Sequence, residues 1–137
     1  MADNTFMLEI ITPEEVVFRD EIQFMVAPAV EGELGVLRNH APLIAALDIG
    51  VMRYKDPDGN THKIAVNGGF VEVVDNVARI LAETAEQEEA IDIDRARKSR
   101  ERAEKRLAIR DENIDYARAE ASLKRALARL KAAGALE

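Results

Sequence analysis

All four prolines and six of the seven glycines lie before Thr84; beyond it, proline is absent and glycine returns only at Gly134. A chain that loses both strong breakers of regular structure at one point changes architecture there. With 137 residues, there is room for one ordinary domain and an appendage. The sequence therefore divides into residues 1–84, built of strands, and residues 85–137, built of helices.

Residues 1–84 read as short aliphatic and β-branched runs bounded by Gly, Pro, Asn or Asp. The first is Thr5 to Ile11, ended by Pro13, and the second is Ile22 to Ala27, stopped by Pro28. The others are Leu34–Leu37, Leu43–Leu47, Val51–Tyr54, Lys63–Val66, Phe70–Val74 and Val77–Leu81. Lys55 to Asn60 contains Asp-Pro-Asp-Gly, a hairpin turn in which Pro presets φ and Gly accepts positive φ. Asp75-Asn76 predicts a second tight turn, and Asn67-Gly68-Gly69 a further one between two strands. Many short strands at this spacing predict a sandwich or flattened barrel.

From Glu86 onward Ala, Arg, Glu, Lys and Leu dominate, all good helix formers. Asp92 or Asp94 can cap a first helix and Asp111 a second, with Gly134 as the stop. The short break at Arg110-Asp111-Glu112 folds the two back as an antiparallel hairpin. Leu123, Leu127 and Leu130, backed by Ala119, Ala126 and Ala133, give the second helix an apolar stripe. The first has nine charged residues among the twelve from Arg95 to Arg106, with only Ala96 and Ala103 apolar. A buried Leu contributes about 1.5–3 kcal/mol, and this helix offers little beyond Leu107. The predicted architecture is an α+β chain: an all-β sandwich followed by a weakly docked helical hairpin that can detach.

Composition removes several functions. There is no cysteine, and His40 and His62 are the only histidines, so thiol chemistry and a histidine metal cluster are excluded. The two serines, Ser99 and Ser122, both lie in the helical region, away from any nucleophile elbow. No Gly-Lys-Ser/Thr follows the double glycine, so a phosphate-cradling loop is absent. His40, beside Ala41-Pro42, reads as a hydrogen-bonded structural group or a polarising one. Net charge is −7 overall, with 14 acids against 6 bases in residues 1–84 and 12 against 13 beyond. That balance argues against nucleic acid. No apolar run approaches 18 residues and no signal peptide opens the chain, so a membrane span and secretion are not expected.

One constellation stands out. Asp92 and Arg95 share a face of the first helix, and Arg125 and Arg129 a face of the second. With the turn near residue 110, Asp92 faces Arg129 and Arg95 faces Arg125. Two readings stay open: surface salt bridges stapling the hairpin, at about 0–1 kcal/mol each, or an anion site in which three guanidiniums grip a polyphosphate.

Glu31-Gly32-Glu33-Leu34-Gly35-Val36-Leu37 followed by His40-Ala41-Pro42-Leu43 resembles the loop signature of the ε subunit of bacterial F-type ATP synthase. Asn67-Gly68-Gly69-Phe70-Val71-Glu72-Val73 resembles the family's Gly-Gly-Phe segment, and the order of sandwich then hairpin matches along the whole chain. The resemblance implies a non-catalytic stalk subunit whose sandwich holds the γ subunit and rests on the c-ring, with Glu31, Glu33 and His40 in the contact loop. It implies a hairpin that folds beside the sandwich or extends toward the α and β subunits to block hydrolysis. Arg118, Lys124, Arg125 and Arg129 would then face acidic segments of β.

The resemblance also implies ATP as a regulatory ligand rather than a required cofactor. Ile91-Asp92-Ile93-Asp94-Arg95-Ala96 matches an ATP-binding motif of some members at every fixed position, and Glu86, Arg125 and Arg129 occupy further binding places. Membrane association would come only through the complex, at the cytoplasmic face of the cell membrane. The rivals are a free-standing ATP-sensing adaptor and a small β-sandwich isomerase or hydrolase.

Overall fold

In the computed structural model, which describes residues 4–136, eight strands precede two helices. The strands are β1 (Phe6–Ile11), β2 (Val16–Ile22), β3 (Phe24–Ala29), β4 (Gly32–Leu37), β5 (Leu43–Lys55), β6 (Thr61–Val74), β7 (Val77–Leu81) and β8 (Thr84–Gln87). A 3-10 turn at Glu88–Ala90 leads to α1 (Ile93–Ala108) and α2 (Tyr116–Ala132).

The pairing order is β2-β1-β7-β6-β5-β3-β4, with β8 added on β6. β1 and β7 are parallel; the remaining pairs are antiparallel. Alternation along each strand puts one face inside: in β1, Phe6, Leu8 and Ile10 are buried and the residues between them half-buried. These join Ile22, Met25, Val36, Met52, Ile64, Val71 and Ile80 in one core. The folded-over sheet with this core inside is the sandwich that the strand spacing predicts.

Four expected strands merge into two. Leu43–Leu47 and Val51–Tyr54 are halves of β5, and Lys63–Val66 and Phe70–Val74 are halves of β6. Asn67-Gly68-Gly69 is therefore not a turn between strands but a kink within β6, with Gly68 at φ 67° and Gly69 at φ 104°. Its purpose is steric. β7 pairs with one half of β6 and β8 with the other, in the same register along the edge that β5 leaves open, so the chain between them runs close beside Gly68-Gly69. A Cβ on Gly69 would lie 1.9 Å from the Leu81 carbonyl oxygen.

Pro28 does not stop β3 either. It sits within the strand where the β3/β5 register shifts, a place where a missing N–H costs no ladder bond, and it packs closely on Gly50. β2 and β8 were not among the expected strands, and β8 carries the sheet past the boundary placed at residue 84. The turns at Asp56–Asn60 and Asp75-Asn76 form as read, with Gly59, Asp75 and Asn76 at positive φ.

The helices form the expected hairpin with a longer link. Asp92 caps α1 by accepting from the Arg95 N–H at 3.1 Å. Asp111 does not cap α2; Asp115 does, accepting from the Arg118 N–H at 3.0 Å. Asp111 instead accepts from the Asn113 N–H inside the link, which Tyr116 ties down through the Ile109 carbonyl and the Asp111 N–H. Gly134, at φ 72°, ends α2 with a Gly134 N–H to Lys131 bond and an Ala135 N–H to Leu130 bond. That pair of bonds is a Schellman stop.

α2 is the middle layer of three. Its buried Ala128 and Ala132 meet Ala65 of β6, Ile91 and, from β5, half-buried Ile49 and Val51. On the opposite side of the helix lie buried Ala119, Ala126 and Leu130, which face α1. α1 reciprocates with Ala96 and Ala103, and it packs on α2 rather than on the sheet. Leu123 and Leu127 of the expected stripe are only half-buried. Four alanines and the single leucine Leu130 make up the buried residues of α2.

Candidate functional site

A cavity of about 230 Å³ opens where β8, the 3-10 turn and the two helices meet. It is lined by Glu86, Ala90, Asp92, Arg95, Ala96, Ser99 and Arg129. Three of the four fixed positions of Ile91-Asp92-x-x-Arg95-Ala96 have a visible structural task. Ile91, 8% exposed, wedges between α2 and the sheet; Asp92 caps α1; Ala96, 2% exposed, lets α1 approach α2. Arg95 alone has no structural duty. Its side chain is exposed, and among the described residues no carboxylate lies within salt-bridge distance of it.

The longer link shifts the helix register, so Arg95 lies across the cavity from Arg129 instead of Arg125. The arrangement is two guanidiniums on one cavity, not three. Arg125 lines the adjoining crevice with Asn67, Thr84 and Ala128, and donates to Ser122 Oγ at 3.0 Å. Arg129 Nε reaches Glu86 Oε1 at 2.6 Å, with both side chains about one-third exposed. This bond joins α2 to the last strand of the sheet. An anion entering the cavity would therefore meet a free Arg95 and an Arg129 shared with Glu86. Ser99 and Ala90 were not foreseen as lining residues. Ser99 was findable, since it lies one turn beyond Arg95 on the same face.

Of the loop residues, Glu31 is exposed at the β3–β4 turn and Glu33 pairs with Arg53 at 3.4 Å. Val30 and Ile44, 62% and 72% exposed, flank a groove with them. His40 is a structural tie: its Nδ1 lies 2.7 Å from the Ala41 carbonyl, which requires the proton on Nδ1, and its backbone N–H donates to Leu37. On α2, Arg118 is exposed and Lys124 lies 3.7 Å from Asp48 of β5. Among the described residues, no helix is long and apolar enough to cross a membrane.

The family model for the β-sandwich domain of the ATP synthase delta/epsilon chain matches residues 5–88, and that for its long alpha-helix domain matches residues 89–134. Proteins described as ATP synthase epsilon chain are similar along nearly the whole length. The one from Syntrophomonas wolfei is 58% identical over 132 residues, covering 96% of both chains. That from Pelotomaculum thermopropionicum is 56% identical, covering 98% of this chain and 99% of its own. That from Symbiobacterium thermophilum is 53% identical, covering 100% and 97%.

The fold is also similar to a chain in the Euglena gracilis mitochondrial ATP synthase structure containing OSCP, F1 and c-ring, with TM-score 0.78 at 24% identity over 90% of this chain and 78% of that one. The two family models together span residues 5–134, and relatives more than half identical cover nearly the whole chain, which defines an ATP synthase subunit of the delta/epsilon type. This chain belongs to the ATP synthase delta/epsilon family, among the bacterial epsilon chains.

Proposed function

We propose that this chain is the non-catalytic epsilon subunit of the central stalk. Its sandwich binds the γ subunit and the c-ring, coupling proton transport to ATP synthesis, at the cytoplasmic face of the membrane. Its hairpin leaves the sandwich to engage the α and β subunits and restrain ATP hydrolysis.

The observation that carries this reading is how lightly the hairpin is held. Its apolar contacts with the sheet are Ala128, Ala132, half-buried Ala133 and Ile91, and each buried CH₂ contributes about 0.8 kcal/mol. Two ion pairs add to that, Glu86–Arg129 and Asp48–Lys124, each at about 0–1 kcal/mol. Lys124 and Arg129 are among the basic residues that the family resemblance turns toward β. Acids on the sheet and acids on β would thus compete for the same cations, which makes the arm a two-state element.

ATP in the cavity would favour the docked arm, because Glu86 of the sheet and both helices line it. At 100 times its dissociation constant, a ligand specific to one state stabilises that state by about 2.7 kcal/mol, comparable to the docking contacts. The cavity is smaller than the roughly 300–1,000 Å³ that encloses a whole ligand of this size, so part of the nucleotide stays in solvent. Calorimetric titration of the full chain tests this. Saturable heat with ATP, lost in Arg95→Ala, is expected; no heat at millimolar ATP would contradict the nucleotide reading.

A further inference from the structure

A second cluster of ligand-type side chains lies on the other flank of the 3-10 turn. His62 of β6 offers a ring nitrogen, and Glu88 and Glu89 of the turn each offer a carboxylate oxygen; these three atoms lie within 4.8 Å of one another. We infer that His62, Glu88 and Glu89 form a divalent transition-metal site that fastens the 3-10 turn to the sheet.

The imidazole is oriented independently of the glutamates. His62 is the cross-strand partner of Tyr54 and stacks on its ring at 5.0 Å. Its Nε2 lies 2.8 Å from Asp56 Oδ2, and Asp56 is itself fixed by the N–H groups of Asp58 and Asn60, both at 2.9 Å. With the proton on Nε2, Nδ1 keeps its lone pair. A carboxylate holding one ring nitrogen and leaving the other to a metal is the usual support of a metal-binding histidine.

The negative charge is uncompensated. Among the described residues no Lys or Arg pairs with Glu88 or Glu89. One imidazole with two carboxylates suits Zn²⁺, leaving a fourth position for water. Ligand atoms around Zn²⁺ sit about 3.3–3.5 Å apart given bonds of 2.0–2.1 Å, a contraction within reach of two flexible glutamates.

The turn is shared between two sites. Glu86 and Ala90 line the cavity described above, while Glu88 and Glu89 between them face His62. A bound ion would pin the segment from which the arm swings. That consequence rests on the proposed function, whereas the site itself does not.

The test is Zn²⁺ titration of the full chain without nucleotide, by competition with a chromophoric chelator. One ion per chain at a dissociation constant below about 10 µM is expected, weakened about 10-fold or more in His62→Gln and in Glu88→Gln/Glu89→Gln, and unchanged in His40→Gln. The glutamate pair serves as the folding-safe variant. No binding, or binding that only His40→Gln removes, would overturn the site. ATP titration of the same variants separates the two outcomes, since Arg95 and Arg129 are intact in them.

Discussion

Two adjacent glycines separate conformational need from steric need. Gly68 has a positive φ and open space where a Cβ would go, whereas Gly69 has a positive φ and a backbone oxygen there. Gly68→Ala is expected to cost about 1 kcal/mol and Gly69→Ala about 3 kcal/mol or more, measured by denaturant unfolding. Equal costs would contradict the close approach of the Leu81–Ala82 backbone to Gly69. Tyr54 gives a pH expectation. Burial holds its folded pKa, about 12, above the ordinary 10.0, so above pH 10 the unfolded chain releases a proton that the folded one keeps. Its contribution is complete below pH 10 and fades as pH rises toward 12. Tyr54→Phe should flatten that alkaline loss in thermal melts. At this scale the sequence was readable where a residue's local chemistry sufficed: Asp92 as cap, Gly59 and Asn76 as turn formers. Gly69 was misread as a turn glycine because its reason for being lies twelve residues away, in the path of β7.

The strand–helix division was legible because breaker residues stop at one place and hydrophobic periodicity changes with them. Long β5 and β6 were not, since a sheet that bends keeps pairing through glycines that look like ends in sequence. The helix link was misjudged for a related reason: Asp111 and Asp115 are equally good caps, and only the docking of Tyr116 decides between them. Asp115→Ala should cost about 1 kcal/mol of hairpin stability, and Asp111→Ala distinctly less, by amide exchange in α2. The candidate site inherits this error, because a shift of four residues in register exchanges Arg125 for Arg129 opposite Arg95. The alanine layer is the other element-scale feature that composition hides. Ala128→Leu should push α2 off the sheet at about 1–3 kcal/mol, speeding exchange in both helices while the strands stay protected.

For the whole molecule, three layers of unequal strength meet at one turn. The sandwich has a continuous core, while the arm is held by small side chains and two ion pairs. Removing residues 89–137 spares β8 and should leave a folded sandwich that still binds γ and no longer restrains hydrolysis; loss of γ binding would contradict this division of labour. The family resemblance supplied partners that no spacing could show, while the expectation of weak docking was drawn from the charge of α1 although it is α2 that meets the sheet. The most direct measurement is amide hydrogen exchange of the full chain, with and without saturating ATP. Amides of α1 and α2 exchanging at least roughly 10-fold faster than those of β1 and β7, and slowing when ATP is added, are the expected result. Helices as protected as the sandwich core, and indifferent to ATP, would contradict a detachable arm.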